Sequence, residues 1–185
     1  MSKLTRNEIL EKIRAGESFQ GVDLSGADLS YETLKGANLM GANLTEAHLQ
    51  NSNLEGANLS GATITKAFMF GCNLMNAVLD GVTGEDTNLQ DSNLENASLK
   101  NATLVHAALL GSILNKADLS GSSLKRCRLK RASLRGAIFD ETNLENAHLV
   151  RSDLTNASFK NANLTGASLN NATTDGANFD GAIGL

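Results

Sequence analysis

From Phe19 onward, every fifth residue is large and apolar. The column runs Phe19, Leu24, Leu29, Leu34, Leu39, Leu44 and on to Phe179 without a slip of register. Of its 33 positions, 31 hold Leu, Ile, Met or Phe, and Gly84 and Thr174 are the exceptions. Two residues before each large one lies a second column: Val22, Ala27, then Ala37, Ala42, Ala47, Ser52 and onward, always small except at Glu17 and Glu32.

No standard element has this period. On an α-helix, steps of five scatter the leucines around the axis. On a strand, an odd step sends alternate leucines to opposite faces. Each pentad must therefore carry its own bend: the large residue and the small one two before it point inward, and five residues make one short straight side and one corner.

Runs such as GANLMGANLT, EGANLSGA and TNASFKNANLTGASL closely resemble the A(D/N)LXX consensus of the pentapeptide repeat family, and the match extends from Phe19 to Phe179. The resemblance implies an all-β fold, a right-handed quadrilateral parallel β-helix of about eight coils, with four sides and twenty residues per coil. Backbone bonds between coils about 4.8 Å apart share the work of holding it together. Residues twenty apart should then stack. Asn53, Asn73 and Asn93 could form an amide ladder, Asp80 lies under Lys100, and Asp140, Lys160 and Asp180 alternate in sign.

The chain divides into residues 1–16, a capping helix, and residues 17–185, the repeats. Thr5 and Glu8 form a capping box, Leu4 and Ile9 suit a hydrophobic staple, and Gly16 is a stop signal. The apolar face of this short α-helix, Ile9, Leu10 and Ile13, covers the open first coil, since solenoids need caps. At the other end, NNATTDGANFDGAIGL holds no matching helix. The last coil either frays or is covered by a second subunit in an end-to-end homodimer. Quinolone-resistance members of the family dimerise through C-terminal elements that include a helix, so their dimer does not transfer.

Composition adds that the chain has 17 Gly, no Pro and no Trp, the bias of a repeat protein. Its first residues lack an apolar run of signal-peptide length and no segment approaches a membrane span, so a soluble, cytoplasmic protein is expected, with no membrane partner. A filled coil offers no cleft in which polar groups converge, so no enzyme, cofactor or metal is expected. His48, His106 and His148 read as surface residues. Cys72 and Cys127 fall in the small inward column at different heights and read as buried free thiols. Gly84 leaves a central position without a side chain, and a local bend or bulge partly filled by Val82 is the expectation.

Two outward features remain. Phe68 and Phe70 flank the inward Met69, and Ala108, Leu110 and Val150 follow on the same face, a stripe interrupted by Asn88 with Gln90 and by Arg128 with Lys130. Exposed aromatic residues of this kind are read as a contact surface, with accidental exposure as the other reading. Second, Lys116, Lys125, Arg126, Arg128, Lys130, Arg131 and Arg135 all point outward and belt about one coil across three faces. An anionic partner is one use of such a belt and a solvated surface another. Its arrangement around the axis does not suit sequence-specific nucleic-acid recognition.

The leading functional expectation is a non-catalytic protein-interaction scaffold, with regulation among its uses, acting through Phe68, Phe70, Leu110 and Val150 on an unidentified protein partner. Two alternatives stand beside it. The family resemblance suggests imitation of DNA to protect gyrase or topoisomerase, although the acidic residues are dispersed. The belt suggests direct binding of nucleic acid or another anionic surface.

Overall fold

The computed structural model describes residues 4–184. Most corners are four-residue turns closed by a backbone bond, such as Ala27 N–H to the Leu24 carbonyl at 3.0 Å and Ala42 N–H to the Leu39 carbonyl at 3.0 Å. The third residue of the turn is left-handed, as at Gly26 (φ 67°) and Asn51 (φ 57°), which is type II geometry. Nineteen non-glycine residues occupy such positions, eight of them Asn, the side chain that best tolerates this region after glycine. The excess of Gly and Asn in the composition thus comes from the corners.

Every backbone bridge pairs residue n with residue n+20 in parallel. One column runs Asp23, Asn43, Thr63, Thr83, Thr103, Ser123, Asn143, Asn163 and Ile183, nine rungs and therefore eight coil steps. Four pentads close one square coil. Three bonds per pentad join neighbouring coils, for example Leu24 N–H to Asn43 O at 2.8 Å, Gly26 N–H to Thr45 O at 2.9 Å and Asn43 N–H to Val22 O at 3.0 Å. Only one residue per side lies fully in the ladder, so the sides register as single bridges and not as long strands.

With the turn bond, four of the five N–H groups in a pentad have backbone partners. The fifth belongs to the residue after the central leucine. An Asn or Asp just before that leucine accepts it: Asn43 Oδ1 from Thr45 N–H at 3.1 Å, Asn53 from Glu55 at 3.0 Å, and Asp153 from Thr155 at 3.0 Å. This Asx turn is the physical content of the D/N position of the repeat. Where Ser98, Ser133 and Ser158 take that position, the acceptor comes from the coil below. Asp80 Oδ1 accepts both Lys100 N–H at 3.0 Å and the Ser98 hydroxyl, and Asp140 does the same for Lys160 and Ser158. The stacked Asp and Lys are therefore joined through the lysine's backbone, and the Lys100 ammonium turns to Asp118 at 3.1 Å. The amide ladder forms between Asn73 and Asn53, at 3.1 Å.

Inside, the central residues are fully buried from Leu29 to Leu164, apart from the position held by Gly84. Phe139, Phe159 and Phe179 stack in one column, with centroids 4.9 and 5.0 Å apart. The Ser52 hydroxyl meets the Cys72 sulfur at 3.5 Å, while most buried polar members of the small column donate to the carbonyl of a central residue, as Thr87 does to Ile64 and Thr142 to Leu119, at 2.7 and 2.9 Å. The thiols of Cys72 and Cys127 do likewise, to Leu49 and Leu104, and both are free and buried.

Gly84 departs from the sequence expectation. The ladder keeps its register through Thr63, Thr83 and Thr103, with no bulge. No space is left open either, because a Cβ at Gly84 would stand 2.7 Å from Ile64 Cγ1, 2.7 Å from Thr87 Oγ1 and 2.9 Å from Leu104 Cδ2. The side chains above, below and beside the glycine close the position, and not Val82 alone.

Helix α1, Arg6–Arg14, carries the full capping box between Thr5 and Glu8 and buries Ile9 and Leu10, with Leu4 and Ile13 packed on the same core. Its Arg6 reaches Asp28 at 3.1 Å and Glu32 at 2.6 Å, and Lys12 reaches Glu17 at 2.6 Å. The two acidic exceptions in the small column are thus the two that bind the helix. Among the described residues, no helix is long and apolar enough to cross a membrane.

Two predictions follow from these contacts. Gly84→Ala must displace three neighbouring side chains at once and should cost about 1–3 kcal/mol, read from urea unfolding. The carboxyls of Asp28 and Asp153 are held below their usual range, chiefly by the Ser30 and Thr155 hydroxyls. A depressed native value gives stability that is present above the unfolded carboxylate pKa, about 3.9, and lost as pH falls through the native value. The urea midpoint should therefore fall as pH drops below about 4. Asp153→Asn, which keeps the acceptor but does not titrate, should reduce that fall.

Candidate partner-docking face

One face of the coil is marked by the rungs Asp28, His48, Phe68, Asn88, Ala108, Arg128, His148 and Ser168. Phe68 and Phe70 are 41% and 39% exposed on it and Leu110 is 37% exposed, and Tyr31, Ile113, Ile138 and Ile183 are the other exposed large apolar side chains among the described residues. The ring of His48 stacks on Phe68, centroids 4.7 Å apart, and holds it upright on one side. Phe70, Gln90, Leu110, Lys130 and Val150 follow one another up the same column, since they differ by twenty.

Higher on this face, Leu110 and Val150 line a shallow pocket of about 280 Å³ together with Gln90, Arg128, Lys130 and His148. The polar residues that interrupt the apolar stripe in the sequence are thus the walls of the pocket, and two residues of the basic belt share it with two of the stripe. Gln90 and His148 carry no signal in a linear reading. The twenty-residue columns point to them, because His148 stands one rung above Arg128 and Gln90 one coil below Leu110.

The belt itself divides by pairing. Lys125 binds Glu145 at 2.7 Å and Arg135 binds Asp153 at 2.9 Å, both in the next coil. Lys116, Arg126, Arg128, Lys130 and Arg131 take part in none of the ion pairs among the described residues, nor does Arg151, one coil above Arg131. Arg128, Lys130, Arg131 and Arg151 belong to the pocket face or its corner. Arg126, Arg131 and Arg151 hold left-handed corners at φ 57°, 60° and 59°, where glycine carries no Cβ penalty. A long side chain there costs about 1–2 kcal/mol in backbone strain.

Cys127, inside the coil behind Arg128, has its thiol pushed up to about 12 by burial, so it is neutral and shielded at physiological pH. On the neighbouring face, His106 Nδ1 lies 3.8 Å from Glu85 and 3.7 Å from Asp86, an exposed group that the sequence reading did not single out.

A filled square coil with a contoured outer face defines a solenoid whose chemistry is carried on its surface. The family model for pentapeptide repeats matches in eight copies, covering residues 18–56, 37–81, 77–115, 112–149, 127–166 and 147–183, and the chain belongs to this family. Its members fold as right-handed quadrilateral β-helices, in accord with the coil described here. No curated protein sequence matches significantly. Among solved structures, full-length QnrB1, a plasmid-mediated fluoroquinolone resistance protein, is 17% identical over 84% of this chain and 90% of its own, with a TM-score of 0.50. HetL, a pentapeptide repeat protein involved in heterocyst differentiation regulation from the cyanobacterium Nostoc sp. strain PCC 7120, is 27% identical over 99% of this chain and 97% of its own, with a TM-score of 0.39. A pentapeptide repeat protein of the Arabidopsis thaliana thylakoid lumen is 31% identical over 46% of this chain and 59% of its own, with a TM-score of 0.45.

If Arg131 is held in a strained corner, Arg131→Gly should raise the unfolding free energy, by about 0.5–1 kcal/mol after the added chain entropy of glycine is set against the relieved strain. Urea unfolding monitored by circular dichroism measures the change, and a lower midpoint would contradict the strain assignment.

Proposed function

We propose that this chain is a non-catalytic binding scaffold that docks a protein partner on the face carrying Phe68, Phe70, Leu110 and Val150. The observation that carries the reading is the pocket in which Leu110 and Val150 meet Arg128 and Lys130. Apolar anchors ringed by charged groups are the usual anatomy of a protein contact, with the anchors supplying affinity and the charges orientation. The rigid ladder behind the face supports the same role, since the face can be presented to a partner with little ordering cost. The unpaired cations make this surface opposite in sign to one that imitates nucleic acid. HetL is described as taking part in differentiation regulation, and a regulatory use of the face would be of the same kind.

The reading predicts that Phe68→Ser combined with Phe70→Ser abolishes capture of the partner from an extract of the native host. Both rings project outward, so the doubly substituted protein should unfold within about 1 kcal/mol of the wild type. Capture that survives the double substitution unchanged would remove these residues from the interface.

A further inference from the structure

The docking face is unbalanced in charge, and the imbalance describes what binds it. From the coil of Gln90 up to Asn171, this face and its corner carry Arg128, Lys130, Arg131, His148 and Arg151 against a single carboxylate, Asp91. The chain as a whole carries 20 acidic residues against 16 basic ones. Elsewhere in the coil, Lys35, Lys100, Lys125 and Arg135 pair with Glu55, Asp118, Glu145 and Asp153, and the cations outside these pairs, Lys66, Lys116, Arg126 and Lys160, are not gathered on one face as those of the pocket are. Arg131 and Arg151 instead stand one above the other at the same corner, both left-handed, a like-charge pair directly opposed across the ladder. The same corner is occupied by Gly71 and Gly111 in other coils, so the position does not demand a cation.

From this we infer that the occupant of the pocket is an acidic protein segment. It sets an apolar side chain on Leu110 and Val150 and lays its carboxylates against Arg128, Lys130, Arg131 and Arg151. The inference rests on the docking role proposed above and adds the chemistry of the partner. Three features favour a peptide over other anions. The pocket, at about 280 Å³, falls just below the range of about 300–1,000 Å³ typical of small-molecule sites and suits an anchoring side chain. Its apolar lining, Leu110 and Val150, is aliphatic, and His148 is the one ring in it, too few to stack successive bases. The unpaired cations span two neighbouring coils, roughly 5 Å of axial rise, too short to follow a phosphate backbone through several contacts.

The test is selection of a random phage-displayed peptide library on the full chain, followed by fluorescence anisotropy of the enriched peptides. A DNA duplex and phosphatidylserine vesicles serve as rival probes. Enriched peptides should combine Asp or Glu with Leu, Ile or Phe. Their affinity should fall at least about tenfold on Arg128→Glu with Lys130→Glu, and should weaken as salt is raised. Leu110→Ser should also weaken binding, and Arg131→Asn, which retains a residue suited to the corner, gives a second charge-removing variant without disturbing the backbone. Enrichment of neutral or basic peptides, absence of enrichment, or acidic peptides indifferent to these substitutions would overturn the inference. So would a duplex or vesicles that bind through Arg128 and Lys130 while peptides do not. If acidic peptides fail but capture from extract still depends on Phe68 and Phe70, the docking face stands and only the chemistry of its occupant is wrong.

Discussion

Everything in this molecule depends on a corner every five residues. The turn leaves its third residue left-handed, brings the large side chain of each pentad inward, and returns the chain to its starting height plus one coil after four repetitions. Because the turn bond and the inter-coil ladder satisfy four N–H groups of each pentad, the fifth group sets a further demand. Asn43, Asn53 and Asp153 meet it from within their own pentads. Asp80 and Asp140 meet it from the coil below. The repeat is therefore a solution to backbone hydrogen bonding as much as to apolar burial, and a buried polar group left without a partner would cost more than most single contacts return.

With the interior and the corners so constrained, departures from the pattern carry the most information. Glu17 and Glu32 break the small column because they hold α1 through Lys12 and Arg6. Gly84 breaks the large column without weakening the ladder, since Ile64, Leu104 and Thr87 occupy the space around it. Arg126, Arg131 and Arg151 depart in another way, by placing long cationic side chains where the backbone favours glycine. The first two departures are explained by packing. The third is shared by Lys66 and Lys116, and only Arg131 and Arg151 among these corner cations adjoin the pocket face.

Much of the fold was legible in the sequence because a period of five excludes both helix and ordinary strand. The capping box of Thr5 and Glu8 was equally plain, since all of its chemistry is local. The docking face was legible only in part. Phe68, Phe70, Leu110 and Val150 could be assigned to one side by counting in twenties, but Gln90, Arg128 and Lys130 read as interruptions of a stripe, and His148 as a surface residue, until their side chains were seen to enclose a pocket. The belt read as one lap of seven charges, with Glu145 stacked over Lys125 by the count in twenties and the partner of Arg135 not indicated.

The sequence alone determined the inward columns, the outward direction of every belt residue and the spacing that stacks position n on position n+20, because these follow from the period. Only the tertiary structure decided which charges cancel. Lys125 and Arg135 are quenched by Glu145 and Asp153 in the next coil, while Arg128, Lys130, Arg131 and Arg151 find no acid within reach. Pairing depends on side-chain reach across the ladder, a distance of a few ångströms that no linear pattern of residues records.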